Sequence, residues 1–209
     1  MTRFRNMSLD AFGDALASHT ATPGGGCASA LSGALAAGLV AMVARTTIGE
    51  KFADRSAEMG EIAAEGDQLK DDLLALVDED AEAFDRVMEA FRLPRETPDE
   101  QEARSAAIQE AYSGATDPPT RVCVLSVRVL ELAAAVAERG NPNAVSDAGV
   151  AALLAATALE GGALNVRINL GSLKDEPLRS TREAEVDDAQ TRGRQLLDQV
   201  QAAVRDQLS

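Results

Sequence analysis

The 209-residue sequence is poor in aromatic side chains, although 45% of its residues are hydrophobic. Aromatic residues make up only 3% of the chain, and tryptophan is absent. A core with so few large rings must be built mainly from alanine, leucine and valine, which suits closely packed helices better than a β-sandwich. The scarcity of aromatics therefore favours an all-α fold.

Histidine and cysteine are too few for the common metal sites. The single histidine is His19, and the two cysteines, Cys27 and Cys123, form no Cys-x-x-Cys pair. The Glu-x-x-His pair that di-metal helical bundles use is also missing. Two cysteines do not make a disulfide framework. We therefore expect neither a metal ion nor a disulfide network.

Positive charge is also scarce. The formal net charge is −14, and lysine occurs only at Lys51, Lys70 and Lys174. Nucleic-acid binding needs a basic face to neutralise phosphates, so we expect no nucleic-acid partner. No apolar run follows the arginines at the N-terminus, so we predict no signal peptide and a cytoplasmic location.

One long stretch without charge raises the question of a membrane. Residues 27–44 carry no charged side chain, a length near the lower limit for a spanning helix. The stretch is rich in alanine, glycine and serine rather than leucine and isoleucine, and Arg45 ends it. We therefore predict a buried helix and no membrane partner.

Small residues recur every four positions along this stretch, in two adjacent series. Such ridges let neighbouring helices approach closely. They indicate a helix buried nearly all round, either in the middle of a bundle or at a subunit interface. The two series are Gly26, Ala30, Ala34, Gly38 and Ser29, Gly33, Ala37, Ala41.

Start and stop signals divide the rest of the chain into helices. Ser8, Thr97 and Asp175 are suited to cap helix N-termini, and a long amphipathic helix over 53–93 is closed by Pro94. The pair Pro118–Pro119 breaks or kinks a helix, and a second piece is expected from Arg121 to Arg139. After the turn Asn141–Pro142–Asn143, Ser146 or Asp147 is expected to cap another apolar helix. No segment alternates long enough for a strand, so residues 1–209 are predicted to form one antiparallel bundle of long helices.

Three consecutive glycines, Gly24 to Gly26, precede the most apolar helix. Either a tight turn needs unusual dihedral angles there, or another group approaches the backbone too closely for a Cβ atom. The free N–H groups at this helix start favour an anion or a carbonyl oxygen. Cys27 lies at the same terminus, where it is either a nucleophile with a lowered pKa or a small packing residue.

Polar side chains on apolar helices are the other candidates. Asp80 falls on the apolar stripe of the long helix, where a carboxylate is costly unless it is paired; alternatively the stripe drifts and Asp80 lies at its edge. Asn165 and Asn169 share a helix face, with Arg167 pointing elsewhere, which suggests a lined cavity or a buried interface. Asp147 at a helix N-terminus is either a simple cap or a functional carboxylate.

Four segments resemble the cyclodeaminase/cyclohydrolase family of folate enzymes, which includes the C-terminal domain of formiminotransferase-cyclodeaminase and stand-alone methenyltetrahydrofolate cyclohydrolases. The resemblance spans Thr22 to Asp175 in family order. Cys27 departs from the serine usual in this family, which argues against an obligatory hydroxyl nucleophile, and the thin basic cluster around Lys51 weakens the expectation of polyglutamate binding. The segments are TPGGGCASALSGALAAGLVAMVARTTIG, LVDEDAEAFDRVMEAFRLPRETPDE, GNPNAVSDAGVAALLA and ALNVRINLGSLKD.

The resemblance implies a homodimeric all-α enzyme that needs no metal or redox cofactor. We expect hydrolysis of 5,10-methenyltetrahydrofolate to 10-formyltetrahydrofolate, because no formiminotransferase domain accompanies the sequence. The alternatives are a formiminotetrahydrofolate cyclodeaminase, which releases ammonia, and a non-catalytic folate-binding or dimerisation bundle. The expected partners are a tetrahydrofolate one-carbon derivative, with or without a polyglutamate tail, and a second copy that packs on the small-residue ridges.

The resemblance also suggests roles for individual residues. Asp147 and Asp80 are the expected proton-transfer groups. Asn165 is expected to bind the amide edge of the pterin. The glycine turn is expected to line the folate cleft, and three basic residues are expected to be electrostatic partners of the substrate. The remaining substrate-binding residues are therefore Pro23, Gly24, Gly25, Gly26, Cys27, Arg45, Lys51 and Arg167.

Overall fold

Every regular element in residues 3–209, the part of the chain that the computed structural model describes, is helical. No strand occurs in this range, which confirms the all-α prediction. Short 3-10 turns lie at Phe4–Asn6, Glu50–Phe52 and Pro142–Ala144. The α-helices are α1 (Leu9–Leu16), α2 (Gly25–Arg45), α3 (Ser56–Phe91), α4 (Pro98–Ala115), α5 (Asp117–Arg139), α6 (Val145–Leu170) and α7 (Glu176–Leu208).

Three of the predicted caps are confirmed. The Ser8 hydroxyl accepts a hydrogen bond from the Ala11 N–H at 3.2 Å at the start of α1. Thr97 forms a capping box with the third residue of α4, and the Asp175 carboxylate accepts the Leu178 N–H at 3.0 Å at the start of α7. These bonds satisfy N–H groups that the first helical turn leaves without partners.

Two predicted helix starts are wrong. α5 begins at Asp117 rather than Arg121, because prolines fit the first turn, where their missing N–H would have no partner. α6 begins at Val145 after Ala144, and neither Ser146 nor Asp147 caps it. The preceding 3-10 turn runs directly into α6, and Asn141 caps that turn by accepting the Asn143 N–H at 3.1 Å.

The small residues of α2 bring helices of one protomer together. A Cβ atom added to Gly33 would lie 3.1 Å from the Leu73 side chain and 3.3 Å from the Ala158 side chain. On α3, a Cβ on Gly66 would lie 3.0 Å from the Cβ of Ala41. All ridge residues except Gly38 are buried within this chain. The prediction that these ridges form a subunit interface is therefore wrong, because α3 and α6 already cover them.

α2 packs against α3 and α6, and the first residues of α2 lie beside the later residues of both helices. On α3, Asp80 lies against Gly26 and Leu73 against Gly33. On α6, Gly161 lies against Ser29, while the Asn141 N–H, just before α6, donates to the Thr47 hydroxyl at 2.8 Å. The core of α2, α3 and α6 therefore has two ends. We call them the glycine end, with Gly24–Gly26, Asp80 and Asn165, and the opposite end, with Arg45, Lys51 and Asp147.

The two most apolar helical segments occupy the centre of the bundle. By length and composition alone, Gly25–Arg45 and Pro142–Leu170 could span a membrane, with mean hydropathies of 1.9 and 1.4. However, 61% of the most apolar window of the first segment is buried against other helices. Core helices of globular bundles have the same composition.

Candidate active site

A cavity of about 330 Å³ lies at the glycine end. It is bounded by the glycine turn, the second half of α3, the end of α4 and the end of α6. One wall is apolar, and the facing groups are a carboxylate and two amides. The lining side chains that matter below are Asp80, Phe84, Phe91, Tyr112, Asn165, Ile168 and Asn169.

The Asp80 carboxylate lies directly against the backbone of Gly26. A Cβ atom at Gly26 would overlap both carboxylate oxygens. Gly24 and Gly25 do not adopt positive φ values, and neither does Gly26; Gly49 is the one glycine that does in the described chain. At Gly26, glycine is therefore required by the close approach of a carboxylate rather than by an unusual turn.

Asp80 is a carboxylate largely shielded from water. Burial raises its pKa, while hydrogen bonds from the Cys27 thiol and the Cys27 N–H partly lower it. Its neighbours on α3 are paired with arginines: Asp78 with Arg5 at 3.2 Å, and Glu79 with Arg121. Within residues 3–209 no such ion pair reaches Asp80. A half-buried carboxylate without a cationic partner holds its proton more tightly than an exposed one, which suits it to accept and return a proton.

Cys27 lies behind this carboxylate, with 0% of its surface exposed. Its Sγ donates a hydrogen bond to Asp80 Oδ2 at 3.4 Å. Burial, together with the charge of Asp80, raises the pKa of the Cys27 thiol to about 12. A thiol that keeps its proton is a poor nucleophile, so this environment supports the packing interpretation over the nucleophilic one.

Two asparagines are fixed at the cavity wall by main-chain carbonyl groups. The Asn165 side chain donates to the Gly161 carbonyl oxygen at 2.8 Å, one turn earlier in α6. The Asn169 side chain donates to the Ala115 carbonyl oxygen at 2.7 Å, at the end of α4. The structure therefore confirms a lined cavity near these two amides.

The aromatic wall was not predicted. The chain has only five phenylalanines and one tyrosine, yet Phe84, Phe91 and Tyr112 all line this one cavity. Phe91 and Tyr112 contact each other edge to face, with centroids 6.2 Å apart, and the Arg104 guanidinium lies 5.5 Å from the centroid of the Phe91 ring. Because the sequence has so few aromatic residues, the positions of Phe84, Phe91 and Tyr112 could have indicated this cavity.

Other predicted site residues lie at the opposite end. Arg45 forms an ion pair with Asp67 of α3, and the Lys51 ammonium group lies 5.2 Å from the Phe52 ring centroid. Asp147 shares a face of α6 with Asn165 but is about five turns away, or about 27 Å at 1.5 Å per residue. One protomer therefore does not bring Arg45, Lys51 or Asp147 to the Asp80 cavity.

Two further predicted residues do not line the cavity either. Arg167 fastens α6 to α7, contrary to the expectation that it contacts the substrate. Its guanidinium donates to Glu183 and Asp187, both at 2.7 Å, and to the Gln190 side-chain oxygen at 2.9 Å. Pro23 is buried beneath the turn, whose Gly24, Gly25 and Gly26 do line the cavity.

No cluster suited to a metal ion occurs in the described part of the chain. No three histidine, cysteine, aspartate or glutamate side chains come close enough together within residues 3–209 to hold one. The polar groups of the cavity include one carboxylate, two amides, the N–H groups at the start of α2 and the hydroxyl groups of Thr22, Tyr112 and Ser172. This set can bind a polar heterocycle and move a proton.

Comparison with known proteins identifies relatives of the whole chain. A family model described as formiminotransferase-cyclodeaminase matches residues 8–188. A methenyltetrahydrofolate cyclohydrolase of Methylorubrum extorquens is 43% identical over 183 residues, which are 87% of this chain and 88% of that protein. A formimidoyltransferase-cyclodeaminase of Gallus gallus is 35% identical over 82% of this chain but only 32% of its own length.

A solved structure extends the comparison to the fold. The crystal structure of formiminotetrahydrofolate cyclodeaminase from Thermotoga maritima superposes with a TM-score of 0.87, covers 98% of both chains and is 28% identical in sequence. The glycine turn, Asp80 and Asn165 all lie within the residues that the family model matches. The chain belongs to the formiminotransferase-cyclodeaminase family.

Proposed function

We propose that this protein is a methenyltetrahydrofolate cyclohydrolase, which hydrolyses 5,10-methenyltetrahydrofolate to 10-formyltetrahydrofolate. The 43% identity to a protein of that name over most of both chains supports the assignment. The structural observation that carries it is Asp80, a half-buried carboxylate that lines the cavity and has no cationic partner in the described chain. The methenyl bridge of this substrate is a cation, which such a carboxylate attracts.

The proposed reaction balances with water and one carboxylate. The water oxygen forms a bond to the methenyl carbon as Asp80 takes one of its protons. The resulting carbon carries a hydroxyl group and is bonded to both N5 and N10. The bond to N5 then breaks, N5 takes the proton from Asp80, and the hydroxyl proton leaves to solvent as the formyl C=O forms. A carboxyl with a raised pKa serves both transfers.

The cavity walls fit the two parts of a folate. We propose that the flat pterin packs on the apolar wall formed by Phe84, Phe91 and Tyr112. Asn165 and Asn169 would then face its polar edge, since amides can both donate and accept. The N–H groups at the start of α2 lie beside Asp80, where they would stabilise the hydroxyl oxygen as it loses its proton and the formyl C=O forms.

A cyclodeaminase activity is the second candidate, because the superposed Thermotoga maritima protein is a formiminotetrahydrofolate cyclodeaminase. In that reaction N10 attacks the formimino carbon on N5, and the bond from this carbon to its exocyclic nitrogen breaks. Asp80 would take the proton that N10 loses as it attacks the protonated formimino group, and would return this proton to the departing ammonia. The same carboxylate and the same cavity therefore serve either substrate.

The experiment that tests the function follows the loss of methenyltetrahydrofolate by ultraviolet absorbance, corrected for uncatalysed hydrolysis. A parallel reaction contains 5-formiminotetrahydrofolate and measures released ammonia. We expect faster turnover of the methenyl substrate. Faster ammonia release would assign the cyclodeaminase instead, and binding of both folates without turnover of either would assign a non-catalytic bundle.

We also propose that the protein is a homodimer of antiparallel bundles that pack through the outer faces of α2 and α6. Leu35 on α2 is 52% exposed, and on α6 Leu153 and Leu164 are 51% and 68% exposed. Residues 27–44 are free of charge, so this outer face of α2 offers no charged group that association would have to desolvate. Large exposed apolar side chains on neighbouring helices support an interaction site, and a two-fold dimer is the commonest way to cover one. We call this surface the α2–α6 face.

In such a dimer, residues at the opposite end of one copy would lie near the cavity of the other copy. Ile168, which is 73% exposed, both lines the cavity and continues the α2–α6 face. A second copy on this face would therefore border the cavity mouth. With the two-fold axis perpendicular to the helices, Lys51 and Asp147 of that copy would approach the glycine end. The lining contributed by one described chain includes no lysine or arginine, so Lys51 would add charge complementary to a glutamate tail.

A further inference from the structure

Cys27 contacts the proposed proton-transfer group but not the space where substrate would bind. Its side chain is fully buried and is not part of the cavity lining. Its Sγ lies 3.4 Å from Asp80 Oδ2, an atom of a residue that does line the cavity. A change at this position therefore acts on the reaction through Asp80.

The direction of this hydrogen bond is fixed by the chemistry of the two groups. The pKa of the thiol is raised to about 12, so the thiol stays protonated and the carboxylate accepts. S–H is a weak donor, whereas a hydroxyl at the same position would form a shorter and stronger bond to an ionised oxygen. Stronger donation to the charged form of a carboxyl group lowers its pKa.

Few other titratable groups face Asp80. The cavity lining contributed by α4 includes Tyr112, and α6 contributes only uncharged polar groups there. Within α3, Asp78 and Glu79 are held by Arg5 and Arg121. Cys27, from α2, is therefore the side chain that donates directly to Asp80 in the described structure.

We propose that Cys27 is a positioning residue: its weak S–H donor orients Asp80 and sets the pH at which Asp80 exchanges its proton with the reacting water. This inference rests on the proposed role of Asp80 in hydrolysis. Because Asp80 must be ionised to take a proton from water, activity rises with pH as Asp80 ionises. A stronger donor at position 27 moves that rise to lower pH, and the loss of the donor moves it to higher pH.

The test is the pH dependence of kcat in Cys27→Ser and Cys27→Ala beside the parent protein, with methenyltetrahydrofolate as substrate. We expect the acid-side midpoint to fall in the serine variant and to rise in the alanine variant, each by about one pH unit. Cys123→Ser is the matched control, since Cys123 is also buried but its Sγ lies 3.5 Å from the Leu159 carbonyl oxygen. This control should leave the midpoint unchanged.

A second measurement keeps the inference testable if turnover is absent or a variant is unstable. The ionisation of Asp80 can be followed by carbon-13 NMR of labelled aspartate, assigned with Asp80→Asn, in the parent and in Cys27→Ser. A lower Asp80 pKa in the serine variant supports the role of Cys27 even if the proposed hydrolysis fails. An equal Asp80 pKa in both proteins, or identical pH profiles with altered stability only, would show that Cys27 is a packing residue.

Discussion

The glycine end and the opposite end of the α2, α3 and α6 core hold their charged side chains in different ways. At the opposite end, Arg45 pairs with Asp67 and Arg139 with Glu58, all partly exposed to solvent. At the glycine end, Asp78 and Glu79 are paired with arginines, but Asp80 is half-buried against Gly26 and its hydrogen-bond donors come from the uncharged Cys27. Exposed ion pairs change stability and proton affinity little, whereas burial without a cation changes proton affinity strongly. The contrast supports the proposal that Asp80, at the glycine end, carries the proton transfer.

The sharpest test of this contrast is Asp80→Asn. The amide keeps the size of the side chain but cannot accept a proton from water, so turnover should fall by ~10²–10⁴. Turnover of methenyltetrahydrofolate is measured beside Asp71→Asn, an exposed carboxylate of the same helix, which should behave like the parent protein. Activity of Asp80→Asn close to that of the parent would remove Asp80 from the mechanism.

Asp147→Asn tests whether the opposite end takes part at all. If Asp147 of a second copy completes the cavity, Asp147→Asn should reduce turnover at least about tenfold. Mixing the Asp147→Asn and Asp80→Asn proteins should then restore about a quarter of the parent activity. About half of the randomly assorted dimers are mixed, and each mixed dimer has one intact site of its two.

The variants distinguish a site shared between subunits, a site within one subunit, and a site in which Asp147 has no part. Two inactive variants that stay inactive after mixing would place both carboxylates in one subunit's site. Turnover of Asp147→Asn within about threefold of the parent would leave Asp147 as a favourable charge in the first turn of α6. Exchange of subunits is checked first with differently tagged copies of the parent protein.

The dimer face can be broken without changing the core. Leu164→Glu places a charge on the α2–α6 face and should weaken association at least about tenfold, measured by analytical ultracentrifugation. Ala34→Leu is the comparison, because Ala34 is 2% exposed and packs inside the protomer. It should lower the free energy of unfolding by about 1–3 kcal/mol through overpacking, with association retained. A monomeric parent protein at micromolar concentration would contradict the dimer.

The smallest expected effect is on stability as a function of pH. The pKa of Asp80 is raised in the folded state. At a pH above the ordinary pKa of an aspartate, ionisation of Asp80 therefore favours the unfolded state. Asp80→Asn should therefore raise Tm at pH 7, because the amide cannot ionise in the folded state. The gain should disappear below about pH 4, where the carboxyl is protonated in both states. An equal gain at both pH values would show that ionisation is not its cause.

Local hydrogen bonding made several helix starts predictable from the sequence. Ser8, Thr97 and Asp175 each bind an N–H group three residues later, so their effect is contained in a few consecutive residues. The start of α6 was mispredicted because Asn141 caps a 3-10 turn that merges with the helix. The residues Asn141–Pro142–Asn143 suit several turn conformations. The hydrogen bond from the Asn141 N–H to the Thr47 hydroxyl favours one of them.

The sequence by itself determined the helical fold, several helix caps and the family, because helix periodicity, capping and motif order are properties of consecutive residues. It also posed the question of the three glycines. Only the tertiary structure decided that Gly26 makes room for Asp80, that Arg167 binds α7, and that the ridges of α2 pack within one chain. The hydrogen bond between Cys27 and Asp80 joins residues 53 positions apart. Burial and partners at such distances depend on how helices pack, and packing sets which carboxylate has a raised pKa.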